Sequence, residues 1–332
     1  MSELKQNIRK ISTQNSSMLL VFLVITLVLS MILSTLKEIG ILGEEFHAEM
    51  LVSGVVQYLV ALPLSMLIMR SSKNGKSIPS LKETFRKPQA TKKEIAKWIM
   101  ISLFLTYAMS YVSNAIFTIL QTLTEIELHA IDFSADNTIL GKLTTILVMM
   151  FLAPLFEEIL FRAIMLKNSE KYGTWSGVIA LGVMFGLFHL NFQQTLYTAV
   201  LGICTGFLVI KTKSIFPSIL LHFCLNTVGA MQSISISGLD LEQISAGNEQ
   251  YIAENIISLL PFLFMELLIV AIMIIGLVFF ILELTNHKET FHLENECPEL
   301  SELQKLGIYF TTPSTMILTI LLTIGTIFNA VG

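Results

Sequence analysis

The chain has 332 residues, of which 53% are hydrophobic and only 14% are charged, and its mean hydropathy is +0.71. Soluble domains carry about 25% charged residues, whereas the charges here cluster between long segments that have almost none. This composition excludes an ordinary soluble enzyme, a nucleic-acid-binding protein with a basic face and a disordered chain. We therefore expect an all-α, polytopic integral membrane protein that is surrounded by the lipid bilayer and has no nucleic-acid partner.

Nine segments are candidate membrane helices, since a crossing needs about 20 mostly apolar residues. They are 18–36, 51–69, 98–120, 139–165, 176–190, 195–210, 215–234, 259–283 and 314–331. The sequence thus predicts a helical bundle with about eight or nine transmembrane helices. We divide it into residues 1–94 with two spans and a basic loop, a core at 95–235 and a C-terminal pair of spans at 236–332.

The basic residues lie mainly on one side of this bundle. Of the 21 Lys and Arg residues, 18 fall on the side that contains the N-terminus, and nine of these are in the loop between the second and third spans. Because Lys and Arg collect in cytoplasmic loops, we expect the N-terminus in the cytoplasm and the C-terminus outside the membrane.

The fourth span contains charged side chains that should be costly there. An ionisable residue inside a span costs about 2.5–3.5 kcal/mol on insertion scales, so it indicates a function by default. Glu158 and Arg162 are four residues apart and can pair on one helix face, whereas Glu157 lies about 100° further round the helix. The alternative is that all three form one structural ionic cluster at the cytoplasmic interface.

Two later spans each contribute a histidine. His189 is near the end of the fifth span, and His222 lies in the seventh, one helical turn before Asn226. Two imidazoles and the Glu157 carboxylate are the ligand types of a catalytic zinc site, but they could also activate a water molecule without metal. Asn226 can donate hydrogen bonds, which suits an oxyanion hole.

The depth of these residues in the membrane is a difficulty. Straight, full-length helices would place Glu157 in the cytoplasmic half and His189 near the outer end. The two residues could meet if the fourth span kinks at Pro154, which cannot donate a backbone hydrogen bond. They could also meet if the fifth span begins deeper in the membrane than its apolar run indicates. Glycines four residues apart in spans five and six (Gly182 with Gly186, and Gly202 with Gly206) favour close helix packing.

Taken together, three short motifs resemble those of the CPBP family of intramembrane proteases. This is the CAAX-protease and bacteriocin-processing (Abi-like) family, which is related to the type II CAAX prenyl endopeptidases. The family's motifs are EExxxR, FxxxH and HxxxN on separate membrane helices, and the resemblance covers roughly residues 95–235. The matching residues are Glu157-Glu158-x-x-x-Arg162, Phe185-x-x-x-His189 and His222-x-x-x-Asn226.

The resemblance implies hydrolysis of a peptide bond in a membrane-associated peptide or protein. By the same resemblance, Glu157 and His189 would activate the attacking water. His222 and Asn226 would stabilise the tetrahedral oxyanion or complete the site.

The remaining motif residues have supporting roles in this interpretation, since Glu158 and Arg162 would hold the site together. A metalloprotease mechanism would use Zn²⁺ bound by Glu157, His189 and His222, with Glu158 as an alternative carboxylate ligand. A metal-free glutamate mechanism also fits these residues.

The resemblance further suggests a biological setting. Bacterial relatives are associated with bacteriocin maturation, self-immunity and peptide-pheromone processing, and the 17 Lys against four Arg indicate a bacterial cell membrane as the location. Two alternatives stay open. One is a non-catalytic membrane immunity or regulatory protein of the same fold that acts by protein binding. The other is a proton- or ion-coupled transporter that uses the charged residues of the fourth span as a relay.

Overall fold

The computed structural model describes residues 2–41, 54–71, 81–124, 128, 135, 137–293 and 297–331, and all regular structure within these residues is helical. Thirteen helices are numbered here in chain order, and α2 and α5 each combine α-helical and π-helical segments. They are α1 (Ser2–Glu38), α2 (Val56–Ala61 continuing as Leu62–Ser71), α3 (Leu81–Thr84), α4 (Lys92–Thr124), α5 (Ile139–Ser169), α6 (Thr174–Phe188), α7 (Phe192–Thr212), α8 (Phe216–Ile236), α9 (Leu241–Ser245), α10 (Glu249–Glu254), α11 (Ile256–Asn286), α12 (Glu302–Phe310) and α13 (Pro313–Val331). Short 3₁₀ turns follow α5 and α11.

The described helices confirm a polytopic helical membrane protein. Seven of them (α1, α4, α5, α7, α8, α11 and α13) are long and apolar enough to cross a membrane, and α2 and α6 contain shorter apolar helices. Each of these nine helices overlaps one of the nine predicted spans. Residues 51–53 of the second predicted span, residues 42–50 between the first two predicted spans and residues 72–80 of the basic loop lie outside the described residues. The orientation in the membrane and the three-part division of the chain stay predictions.

Helix α7 is the most buried of the seven long helices, and it packs against α6, α4 and α8. Glycines allow the close approach of α6 and α7. A Cβ atom on Gly182 would lie 2.5 Å from the Ile203 side chain, and a Cβ atom on Gly186 would lie 2.3 Å from the backbone oxygen of Thr195. The packing predicted for these small residues is therefore present.

The N-terminal and C-terminal helices also pack on each other, because α1 contacts α12 and α13. Buried polar groups connect them: Ser12 Oγ lies 2.5 Å from Thr315 Oγ1, and Asn15 donates to the Tyr309 hydroxyl at 3.2 Å. Such pairing matters in an apolar medium, where an unpaired polar group costs free energy. Helix α1 contacts α2 as well, so the N-terminal helices lie beside the core that carries the motifs.

Candidate active site

Glu157 lies in a short α-helical segment of α5, Ala153–Glu158, that is flanked by π-helical segments on both sides. Single π-helical turns are frequent at functional sites. Its two carboxylate oxygens face different groups: Oε1 accepts a 2.7 Å hydrogen bond from the Tyr58 hydroxyl, and Oε2 lies 3.9 Å from His222 Nε2. Its side chain is 21% exposed. Glu157 is thus held by α2 on one side and faces α8 on the other.

Glu158 and Arg162 form the ion pair that their spacing predicts, with Arg162 Nε 3.3 Å from Glu158 Oε2. The two side chains are 0% and 1% exposed, so the pair is fully buried. Arg162 also donates from Nη2 to the Gly202 backbone oxygen at 3.0 Å, and its guanidinium carbon lies 4.6 Å from the centre of the Phe185 ring. Glu157 does not share this ion pair but accepts a hydrogen bond from Tyr58. The arrangement therefore differs from the alternative in which Glu157, Glu158 and Arg162 form one ionic cluster.

His222 connects the buried ion pair to Glu157. Its Nδ1 lies 3.1 Å from Glu158 Oε1, while its Nε2 faces Glu157. An ionised carboxylate can only accept, so we assign the ring proton to Nδ1 and leave Nε2 as the acceptor in the neutral ring. A carboxylate that fixes the tautomer and orientation of an imidazole is a common supporting contact in catalytic and metal sites.

His189 reaches the same cavity as Glu157 because α6 ends there. Helix α6 has 15 residues and is only about 22 Å long, which is less than the roughly 30 Å of a bilayer core. His189 is its C-terminal cap, and Leu190 then turns the chain with a φ of 51° into the start of α7. The two residues thus line one cavity although α6 has the same 15 residues as the predicted fifth span, and α5 stays helical through Pro154. The depth of each residue in the membrane stays a prediction.

The ring of Phe185, the first residue of the FxxxH motif, packs against both imidazoles. Its centre lies 4.9 Å from that of His189 and 5.7 Å from that of His222, in edge-to-face geometry. The backbone oxygen of Phe185 also accepts from His189 Nδ1 at 2.8 Å, which leaves His189 Nε2 without the proton in the neutral ring. Phe185 thus contacts both histidines, and its backbone oxygen fixes the orientation of His189.

Asn226 contacts the backbone of α5 rather than a side chain. Its Nδ2 donates to the Met149 backbone oxygen at 2.9 Å. Met149 lies five residues before Pro154, which has no N–H to complete a π-helical hydrogen bond to that oxygen. Asn226 therefore compensates for a hydrogen bond that the proline cannot make, and its predicted oxyanion role stays a prediction.

A cavity of about 230 Å³ opens beside Glu157. Its polar lining comes from Gln57, Tyr58, Glu157 and His189. Its walls are largely aromatic and include Phe22, Phe156, Phe161, Phe185 and Phe188.

Sequence reasoning did not find Tyr58. The only signal was the polar pair Gln57-Tyr58 within an apolar run, which is weak because tyrosine is common in membrane helices.

A polar contact away from the cavity explains Glu266, an isolated acid of the eighth predicted span. Its Oε1 accepts from Gln232 Nε2 at 2.6 Å, on the contact between α8 and α11.

The predicted zinc ligands match a zinc site in donor type but not in arrangement. Within the part of the chain that the structure describes, no three His, Cys, Asp or Glu side chains are grouped so that they could hold a metal ion. The 3.9 Å between His222 Nε2 and Glu157 Oε2 also exceeds the roughly 3.4 Å between ligands of a tetrahedral site with bonds near 2.1 Å. The zinc site stays a prediction.

Comparisons with known proteins agree with the motifs. Residues 139–228 match the family model described as "Type II CAAX prenyl endopeptidase Rce1-like", and this segment contains all three motifs. The chain is 26% identical over 207 residues to the "Putative membrane peptidase YdiL" of Bacillus subtilis (strain 168), covering 60% of the chain and 78% of that protein.

A second relative matches a shorter segment. The chain is 32% identical over 103 residues to an "Uncharacterized 24.3 kDa protein" of Escherichia coli, covering 29% of the chain and about half (48%) of that protein's length. No solved structure matches the chain significantly. The resemblance predicted from the motifs is thus confirmed, within the core predicted at 95–235.

Proposed function

We propose that this protein is an intramembrane endopeptidase that hydrolyses a peptide bond in a membrane-associated peptide or protein. The observation that supports it best is that the motifs of three separate helices meet at one place. Glu157 of α5 lies beside His222 of α8, and His189 at the end of α6 lines the same cavity as Glu157. A helix-packing role alone does not require a partly exposed carboxylate next to two imidazoles.

In the proposed reaction, Glu157 is the general base. Its Oε2 and His222 Nε2 are 3.9 Å apart, too far for a direct hydrogen bond, but a water oxygen about 2.8 Å from both could bridge them. Glu157 would take a proton from this water as its oxygen attacks the peptide carbonyl carbon. The tetrahedral intermediate would collapse as the C–N bond breaks, and Glu157 would return the proton to the leaving nitrogen.

The neighbouring residues would orient the base and stabilise the charge. His222 would stay in one tautomer because Glu158 holds its Nδ1. The Asn226 carboxamide has two N–H bonds, of which Met149 takes one, so the second could serve an oxyanion, as the resemblance implies. Glu158 and Arg162 would hold His222 in place through their buried ion pair, without touching the substrate.

The aromatic cavity beside Glu157 would receive the substrate, which we propose is a membrane-associated peptide rather than a soluble protein. Phenylalanine side chains exclude water and strengthen electrostatic interactions at a reacting centre. Bacteriocin-related processing or immunity is the setting that the family resemblance favours.

The test compares wild type with Glu157→Gln, which keeps the size of the side chain and the acceptor for Tyr58 but removes the base. The matched control is Glu266→Gln, another intramembrane carboxylate that Gln232 contacts away from the cavity. Peptide profiles by mass spectrometry of cells that express each variant at equal levels should lose specific peptides only in Glu157→Gln.

Other outcomes would point elsewhere. If Glu157→Gln and wild type give the same profile and the same phenotype, the protein acts by binding and the protease proposal is wrong. Flux of a solute that depends on a proton or ion gradient would instead support a transporter. For the zinc prediction, bound zinc should be stoichiometric in wild type and lost in Glu157→Gln, and a fully active zinc-free preparation would contradict it.

A further inference from the structure

The second helix supplies the hydrogen-bond donor closest to the proposed base. The Tyr58 hydroxyl donates to Glu157 Oε1 at 2.7 Å across 99 residues of sequence. Tyr58 lies outside residues 139–228, the segment that matches the family model. The contact is therefore a feature of this chain's N-terminal region and is not part of the three motifs.

The surroundings of Tyr58 hold its hydroxyl in place. Its side chain is 7% exposed, and its ring stacks on Phe156 with centres 6.0 Å apart and planes at 19°. One turn later, Ala61 and Leu62 are buried in the main hydrophobic core. Tyr58 also lies in the π-helical segment Val56–Ala61. A ring anchored in this way can hold a flexible glutamate in one orientation.

The hydrogen bond from Tyr58 gives the two oxygens of Glu157 different partners. Oε1 is tied to Tyr58, and Oε2 is left facing His222 Nε2. A glutamate has three rotatable side-chain bonds, and fixing one oxygen removes most of its alternative orientations. In a reaction that depends on the position of the base, a misplacement of about 1 Å can cost a hundredfold in rate.

We propose that Tyr58 is a positioning residue for Glu157, so that the N-terminal helix α2 completes an active site whose chemistry is carried by the core. The inference rests on the proposed peptidase function. It assigns a role in catalysis to α2, which carries none of the three motifs.

The experiment compares Tyr58→Phe with wild type. This change removes one oxygen and keeps the ring that stacks on Phe156. The matched control is Tyr111→Phe on α4, which removes the same atom from a half-exposed tyrosine. The probe is a fluorogenic peptide synthesised from the cleavage product that the Glu157→Gln comparison identifies, and kcat, KM and the thermal unfolding midpoint are measured for each purified protein.

We expect Tyr58→Phe to lower kcat by about ten- to a hundredfold, the range that corresponds to one hydrogen bond to a charged group. KM should change by less than about twofold, because the lost hydrogen bond joins Tyr58 to Glu157 and not to the substrate. The unfolding midpoint of Tyr58→Phe should fall by no more than a few degrees, so that the protein is fully folded at the assay temperature, and Tyr111→Phe should match wild type in all three measurements.

Three results would overturn the inference. An unchanged kcat would show that the hydroxyl does not position the base. A raised KM with normal kcat would make Tyr58 a substrate-binding residue, and an activity loss caused by unfolding at the assay temperature would make its role structural. If wild type cleaves no peptide at all, the proposed function fails and this inference fails with it, whereas an active wild type with an equally active Tyr58→Phe refutes the inference alone.

Discussion

The buried ion pair of Glu158 and Arg162 allows a quantitative prediction about stability. Both side chains are almost completely buried, and Arg162 also donates to the Gly202 backbone oxygen. In Arg162→Met, the Glu158 carboxylate would remain buried with His222 as its polar neighbour. Leaving one charge of a buried pair uncompensated costs about 3–5 kcal/mol, so we expect the free energy of unfolding to fall by that amount.

The second variant in this experiment removes both charges. Arg162→Met combined with Glu158→Gln leaves no unpaired charge and keeps an oxygen that can accept from His222 Nδ1. Replacing a whole buried pair by neutral groups is often close to neutral, so the double variant should be more stable than Arg162→Met alone by about 2 kcal/mol or more. The control is Lys167→Met, which breaks a partly exposed pair with Glu170 and should cost at most about 1 kcal/mol.

The assay is reversible unfolding in detergent micelles, followed by circular dichroism, for wild type and the three variants. The reasoning would be refuted if Arg162→Met cost no more than Lys167→Met. It would also be refuted if the double variant were no more stable than Arg162→Met, because the destabilisation would then not come from an unpaired buried charge.

Three further predictions concern packing, the α5 backbone and pH. Gly182→Ala should destabilise the α6–α7 contact by about 1–3 kcal/mol, because its Cβ atom would lie 2.5 Å from Ile203. The control is Gly229→Ala, in which no atom lies within 4 Å of the added carbon. This variant should be as stable as wild type in the same unfolding assay. Asn226→Ala should lower the free energy of unfolding by about 1–3 kcal/mol, since the Met149 oxygen loses its donor; a fully stable variant would mean that this oxygen has another partner. Burial alone would raise the pKa of Glu302, but hydrogen bonds from Lys305 and from the Ser176 backbone N–H outweigh it and leave the pKa below its usual value. Because the folded pKa is lowered, the stability that these hydrogen bonds contribute is complete above the unfolded pKa of about 4.3 and is lost as the pH falls through the folded pKa. Glu302→Gln should therefore weaken the dependence of the unfolding midpoint on acid pH. A pH profile identical to that of wild type would contradict this prediction.

The sequence alone determined the features that depend on local periodicity. Apolar runs located the seven described helices that are long enough to cross a membrane and the two shorter apolar helices in α2 and α6. They could do so because a crossing requires about 20 apolar residues, whose backbone groups pair within the helix. The four-residue spacing predicted the Glu158–Arg162 pair, because positions four apart share one face of any α-helix. The close approach of α6 and α7 also followed from glycine spacing, since a missing side chain has the same effect wherever two helices meet.

Only the tertiary structure decided which distant groups meet. His189 reaches the cavity of Glu157 because α6 ends beside it and the chain turns at Leu190, and the exact end of a helix is weakly encoded in an apolar run. Asn226 donates to a backbone oxygen of another helix, and Tyr58 reaches Glu157 across 99 residues. Neither contact leaves a periodic trace in the sequence. Each depends on how helices distant in the chain are packed, and therefore on the sum of many weak contacts rather than on the spacing of any one motif.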